Sequence, residues 1–271
     1  MQEKPEIIRL IADKILHSRK YRSLYPKTVE RVVESCLLKY PLKVAEKEAR
    51  NLLHQIWSAY YFGYFGRPKF DKILSTIKND IEKGIAVKEA LMPVLELHSS
   101  TRERKSILES FYKEIFRVTG YPQSITDYAC GLNPLTIPWM GLPKNTEYTA
   151  YDIDTGEIKF IDDVFSLLKI QKAKAIVGDL FIDLPQKTDV VFMFKVLPLL
   201  EKQQHGSAIE IIEKQKCRYL VVSFPTKSIS GKERGMIGFY CEQFEKSAKT
   251  SGWHAEKLLF PQEIVFVVKR N

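Results

Sequence analysis

The chain has 271 residues, 45% of them hydrophobic, with a formal net charge of +9 and a pI near 9.2, which predicts about two domains with sizeable cores and an anionic partner such as nucleic acid. Its four cysteines, Cys36, Cys130, Cys217 and Cys241, are widely spaced without a CxxC pair, which excludes a zinc knuckle and a disulfide framework. No apolar run approaches the roughly 18 residues of a membrane span, and MQEKPEIIRLIADKIL lacks the apolar core of a signal peptide, so a soluble, reducing, cytoplasmic setting is expected.

Residues 5–97 read as helices. Ile7, Ile8, Ile11 and Ile15 share one face of a first helix, and Val29, Val32, Val33, Cys36 and Leu37 share one face of a second, which Pro41 stops. Val44, Leu52, Leu53, Ile56 and Trp57 line a longer third, and shorter helices are expected near 69–80 and 87–97. Residues 1–97 hold 18 Lys and Arg against 12 Asp and Glu, whereas the remainder holds 24 against 21, so the basic excess sits in the first third. Arg19, Lys20 and Arg22 form one cluster, and Lys43, Lys47 and Arg50 lie near helical spacing on another surface. Singly, each reads as an ordinary solvated charge; together they suggest a phosphate-contacting face.

Next comes HSSTRER (98–104), which reads as a helix start with Ser100 or Thr101 as N-cap and Glu103 in the first turn. After residue 120 the rhythm changes. Strands are expected at 124–129, 147–153, 175–178, 189–194, 218–224, 255–260 and 264–269, with helices near 155–170, 198–214 and 235–250. Alternation of strand and helix predicts a mostly parallel sheet. Only Pro261, Gln262 and Glu263 separate the last two strands, so the final one should run antiparallel. The expected fold is α/β: a seven-stranded, Rossmann-like sheet resembling the class I methyltransferase arrangement over residues 98–271, preceded by an all-α domain over residues 1–97.

The first strand runs into a small-residue loop, ITDYACGLNP (125–134), and the second, EYTAYDID (147–154), ends in carboxylates. Ligands of doubly wound sheets bind beyond the carboxyl ends of the strands. Ala129 and Gly131 would let a ligand approach the backbone, and Asp152 or Asp154 would accept from a ribose diol. The GxGxxG fingerprint is absent, because Asn133 and Thr136 stand where its later glycines would fall. A nucleoside without a pyrophosphate therefore fits better, and S-adenosylmethionine is one. Asp152 suits its ribose, Asp179 in AIVGDL suits its adenine amino group, and Arg104 could fork onto its carboxylate. An aspartate at a strand end more often caps a turn, but two after successive strands favour a pocket.

LHSSTRER (97–104), DYACGLNPL (127–135), AYDID (150–154), FKVLPLLE (194–201) and SFPTKSISGKERGM (223–236) together resemble the aminoglycoside-resistance 16S rRNA methyltransferases that modify a guanine at N7. SRKYRSL (18–24) and LLHQIWSAYY (52–61) match more weakly. The resemblance implies a helical rRNA-docking domain and methylation of guanine 1405 N7 in the assembled 30S subunit, giving aminoglycoside resistance. It implies a cofactor pocket of His98, Thr101, Arg104, Ala129, Gly131, Asn133, Asp152, Ile153, Asp179 and Leu180, with S-adenosylhomocysteine as product, and no metal. RNA contacts are expected from Lys20, Arg50, Lys227, Lys232 and Arg234, and base positioning from Phe194, Lys195 and Met236. A monomer without membrane contact is expected. The alternatives are a 16S rRNA adenine-N1 methyltransferase and a non-catalytic ribosome-binding protein that retains the fold.

The chemistry agrees with N7. Methylation of cytosine C5 needs a cysteine nucleophile, typically after proline, and no cysteine here follows one. Exocyclic amines are usually handled by an Asn/Asp-Pro-Pro-aromatic segment, and that place reads Phe194, Lys195, Val196, Leu197, Pro198. Guanine N7 has a free lone pair, so catalysis is mainly positioning. Two residues keep two readings. Lys195 either contacts the substrate or bridges to a carboxylate; Phe194 either stacks on the base or belongs to the core.

Overall fold

The computed structural model describes residues 3–57, 68–183, 186–226 and 234–270, except the side chains of Glu3 and of residues 234–240. Five helices come first: α1 (Glu3–Leu16), α2 (Pro26–Lys39), α3 (Leu42–Trp57), α4 (Phe70–Glu82) and α5 (Val87–Leu91). Pro26 occupies the first turn of α2, where a missing N–H costs nothing, and Pro41 follows its end. The helices α6 (Ser99–Arg104) and α7 (Leu108–Thr119) lead into the sheet. Then follow β1 (Ser124–Tyr128), α8 (Ile137–Met140), β2 (Glu147–Asp152), α9 (Thr155–Leu167), β3 (Ala173–Val177), β4 (Thr188–Phe194), α10 (Leu197–Gln203), α11 (Ser207–Glu213), β5 (Cys217–Pro225), α12 (Arg234–Thr250), β6 (His254–Phe260) and β7 (Glu263–Lys269).

The seven strands form one sheet in the order β3-β2-β1-β4-β5-β7-β6, with β7 antiparallel to both neighbours. The expected α/β fold with its antiparallel hairpin is therefore present. The order reverses at β1, which pairs with β2 on one side and β4 on the other. Both faces of the sheet are covered, so most side chains of β4 and β5 are apolar, while β1 also buries the polar Thr126 and Asp127. In β4, Val190, Phe192 and Phe194 join a core with α7 and α9, while Val191 and Met193 join one with α10, α11 and α12.

The first 97 residues divide between two cores. Helices α1, α2 and α3 enclose their own, around Ile15, Val29, Val33 and Leu53. Ile77 of α4 and Leu91 of α5 instead join the core beneath the sheet, and Phe70 stacks on Phe160 of α9 at 4.7 Å. Two other expectations change. The helix predicted over 198–214 is broken into α10 and α11 at Gly206, whose φ of 81° is left-handed. Glu201 stabilises the break by accepting from the N–H groups of Gly206 and Ala208. At α6, neither Ser100 nor Thr101 is the N-cap: His98 holds that position, and Thr101 Oγ1 donates backward to Leu95 O and His98 O.

The three-helix bundle is tied to the carboxyl edge of the sheet by short backbone links. Tyr25 N donates to Ile153 O at 2.8 Å and Thr155 N to Ser23 O at 2.8 Å. Asp154 caps α9 through Gly156 N and Glu157 N, and accepts from Trp57 Nε1 of α3 at 2.7 Å. One carboxylate therefore closes a helix end and fastens the bundle. Among the described residues, no helix is long and apolar enough to cross a membrane. Replacing Asp154 with alanine is expected to lower unfolding stability by about 1–2 kcal/mol, the upper range for a lost cap. Urea denaturation checks this, and an unchanged midpoint would refute the double role.

Candidate active site

A cleft of about 970 Å³, counting its open mouth, lies at the carboxyl ends of β1, β2 and β3. Its floor is the loop after β1. Ala129 and Gly131 both have left-handed backbones, with φ of 49° and 48°. A side chain at Gly131 would meet two obstacles, the strain of that φ and a Cβ 2.8 Å from Nε2 of His98. The expected residues His98, Arg104, Ala129, Gly131, Asp152, Ile153, Asp179, Leu180 and Phe194 all line this cleft. The reason is topological: β1, β2 and β3 are parallel, so the loops that leave them share one edge.

Asp152 and Asp154 both line the cleft and differ in their partners. Asp154 is engaged in capping and with Trp57, whereas the partners of Asp152 among the described residues are backbone N–H groups, including Gly131 N at 3.0 Å and Asp154 N at 3.3 Å. Each oxygen of Asp152 thus keeps acceptor capacity for a vicinal diol. Burial raises its carboxyl pKa, against the lowering effect of the bonds from Gly131 and Ile153. Asp179 accepts Phe181 N on Oδ1 at 2.9 Å and is reached by Thr28 and Arg31 on Oδ2. Burial first, and then the charges of Arg104 and Lys195, lower the pKa of His98 to about 3 and hold it neutral.

Three expected residues do not line the cleft. Thr101 turns its hydroxyl into the helix backbone. Asn133 faces inward because its amide is consumed: Oδ1 accepts from Arg104 at 2.5 Å and Tyr112 at 2.8 Å, and Nδ2 donates to Asp127 at 2.8 Å. Lys195 is 1% exposed, and its Nζ meets Glu103 at 2.6 Å and Glu263 at 3.5 Å, so it takes the carboxylate-bridging arrangement. Its backbone is left-handed, with φ of 59°, and is held by Ser223.

Arg104 forms the back wall. Nη1 donates to Asn133, Nη2 to Ser100 Oγ, and Nε lies 2.9 Å from Glu263 as an ion pair without hydrogen-bond alignment. Its guanidinium covers the ring of Phe194 at 4.7 Å. Burial opposes the charge, but Glu263, Tyr112 and Asp127 outweigh it and raise the pKa. Arg104 also lines the cleft, so its guanidinium borders the space where a ligand carboxylate would lie. Phe194 stacks on Phe192 at 4.8 Å and belongs to the aromatic core while reaching the cleft.

The sequence reading missed Thr28, Arg31, Trp57, Glu157 and Gln203, which also line the cleft. Only Trp57 had a visible cue, at the end of an apolar helix face. Arg234 and Met236 fall in the first turn of α12, with side chains outside the description, and Lys227 and Lys232 lie outside the described residues. Lys20 is exposed over the ring of Tyr21, whereas Arg50 is half-buried, bonded to Glu46 and to Lys14 O.

The pocket fits a neutral nucleoside with an amino-acid tail. It offers a diol acceptor, a second carboxylate, apolar Leu180 and Phe181, and an arginine, over a floor whose glycine a Cβ would obstruct. Gly131→Ala is expected to destabilise the fold by about 1–3 kcal/mol, since it adds backbone strain and a clash, and to weaken nucleoside binding at least tenfold. Melting curves and calorimetry check both, and native-like values would refute the close-packed floor. Glu157 supplies a pH test. Burial raises its carboxyl from 4.5 to about 8. The folded state therefore keeps a proton that the unfolded state loses, and stability falls as pH rises from about 4.5 to 8. Glu157→Gln mimics the protonated acid, so its melting temperature should match the native protein near pH 4.5 and exceed it at pH 8. A constant difference across that range would contradict the buried acid.

The comparisons with known proteins agree with this geometry. The chain matches the ribosomal RNA methyltransferase (FmrO) family over residues 17–267. It is 36% identical to a 16S rRNA (guanine(1405)-N(7))-methyltransferase of Proteus mirabilis, with 100% of each chain covered. It is 35% identical to the enzyme of that name from Micromonospora echinospora, over 94% of each. Among solved structures, the 16S rRNA methyltransferase RmtF in complex with S-adenosyl-L-homocysteine superposes with a TM-score of 0.81 at 28% identity, covering 98% of this chain and 99% of that one. The 16S rRNA methylase RmtB gives a TM-score of 0.76 at 29% identity, over 97% and 98%. With a seven-stranded sheet, a nucleoside cleft at its switch point and a match along nearly its whole length, this chain belongs to the FmrO family of ribosomal RNA methyltransferases.

Proposed function

We propose that the protein methylates N7 of guanine 1405 in 16S rRNA, using S-adenosylmethionine. The observation that carries this reading is the whole-chain likeness to the Proteus mirabilis enzyme, combined with a cleft built for a nucleoside. When bound, S-adenosylmethionine supplies an electrophilic methyl group on a sulfonium. The protein's residues bind and orient. Asp152 would accept from the ribose hydroxyls and Asp179 from the adenine amino group, and Arg104 would pair with the carboxylate. Leu180 and Ile153 contribute apolar contact, and Gly131 allows the backbone to come close.

Guanine N7 carries its lone pair in the ring plane, so no proton has to leave before attack. The enzyme must hold N7 in line with the methyl group at about 3–3.5 Å. The residues around the cleft suit a reaction without nucleophile or base. Burial pushes the Cys130 thiol well above its ordinary value, helped by Asp152 and Asp127, and Lys195 Nζ is held by Glu103. Phe194 and Met236 would steady the flipped base, and Lys195 would act through the turn that it stiffens. Extruding a stacked guanine costs a few kcal/mol. Contacts from Lys227, Lys232 and Arg234, in the segment that leaves β5 at the same sheet edge, would offset that cost.

Docking would fall to the N-terminal helices. Arg19, Lys20, Arg22, Lys43 and Lys47 are exposed. They and Arg50 would contact phosphates of the assembled 30S subunit, setting register without reading sequence. The protein would act as a cytoplasmic monomer and confer aminoglycoside resistance. Incubating 30S subunits with labelled S-adenosylmethionine and mapping the label is expected to place it on N7 of guanine 1405. Binding should weaken steeply with salt. Cells expressing the protein should resist 4,6-disubstituted deoxystreptamines but not apramycin. Label on an adenine N1, or none on the subunit, would overturn the assignment.

A further inference from the structure

Two residues of the docking bundle reach into the cofactor cleft. Thr28 and Arg31, one turn of α2 apart, both bind the same oxygen of Asp179: Thr28 Oγ1 donates at 2.7 Å and Arg31 Nε at 3.1 Å. Arg31 Nη2 is 3.0 Å from that oxygen and donates to Gln203 Oε1 of α10 at 2.7 Å. The guanidinium lies over the ring of Phe181 at 4.1 Å. Thr28 is fully buried, Asp179 is 4% exposed, and both line the cleft.

A carboxylate offers about four acceptor positions. Thr28 and Arg31 occupy those of Oδ2, and Phe181 N takes one on Oδ1. Among the described residues, one position remains, with its direction set by the other three bonds. Without α2, only the bond from Phe181 N among these three would hold Asp179, and ordering its carboxylate would oppose binding. We infer that Thr28 and Arg31 are positioning residues for the adenine end of the cofactor, presenting Asp179 to the exocyclic amino group in one orientation. The bundle that docks on rRNA thereby completes the methyl-donor site. This inference rests on the proposed cofactor reading and goes beyond it, since the residues belong to no strand-end motif.

A purely structural tie between bundle and sheet makes a different prediction, so ligand and protein are varied together. Calorimetry is done with S-adenosylhomocysteine and with S-inosylhomocysteine, which carries an oxo group in place of the amino group. Thr28→Val and Arg31→Met are expected to weaken S-adenosylhomocysteine about tenfold, the scale of a hydrogen bond to a charged group. They should weaken the inosyl ligand less than about twofold, and Thr28→Ser should bind as the native protein does. Equal losses for both ligands, or unchanged affinity for S-adenosylhomocysteine, would overturn the inference. If the native protein does not bind S-adenosylhomocysteine, the cofactor reading itself fails, and that measurement comes first. Arg31 is 22% exposed on its side chain, so Arg31→Met keeps the test valid should Thr28→Val not fold.

Discussion

The site depends on keeping one positive charge dry. Arg104 is 1% exposed, and a guanidinium in such a place is tolerable only when opposite charge and acceptors surround it. Glu263 supplies the charge, Asn133 and Ser100 the acceptors, and the rings of Phe111 and Phe194 the faces. These partners come from β7, the loop after β1, α6, α7 and β4. The ion cluster therefore fastens the antiparallel end of the sheet to the floor of the cleft. Asn133 extends it to Tyr112 and Asp127, and Glu263 extends it to Lys195.

This network explains why the strand-end loops can hold unfavourable backbones. Ala129 and Lys195 are non-glycine residues in the left-handed region, a cost that persists only where surrounding bonds over-determine the chain. Asn133 and Asp152 anchor the segment around Ala129, and Ser223 and Glu103 anchor Lys195. The same dry surroundings raise the carboxyl groups of Asp127 and Glu157 to about 7 and about 8. Their raised values follow from burial and need no role in proton transfer, which a reaction at guanine N7 does not call for.

The two halves of the molecule share the cleft. The basic helices are not a separate module on a string: Trp57 meets Asp154, Tyr25 meets Ile153, and α2 reaches Asp179. Any shift of the bundle on an anionic surface would be felt at the strand ends, and occupancy of the strand ends would be felt in the bundle. Such reciprocity is required of linked binding events.

The sequence by itself determined the strand and helix order, because periods of 2 and 3.6 are local and a β-α alternation dictates parallel pairing. It also determined that β7 would turn back, since three residues cannot cross the sheet, and that Gly131, Asp152 and Asp179 would meet at one edge. What only the tertiary structure decided is how each polar group is used. Asn133 looks like a ligand contact in the chain and is spent on Arg104 and Tyr112. Asp154 looks equivalent to Asp152 and is spent on a helix cap and Trp57. The helices α4 and α5 look like part of the bundle and bury their apolar faces under the sheet instead. Thr28 and Asp179 are 151 residues apart, and no periodicity or spacing records their bond. Hydrogen bonds saturate, so a residue's role depends on which partner reaches it first in space, and that is settled only when the chain has folded.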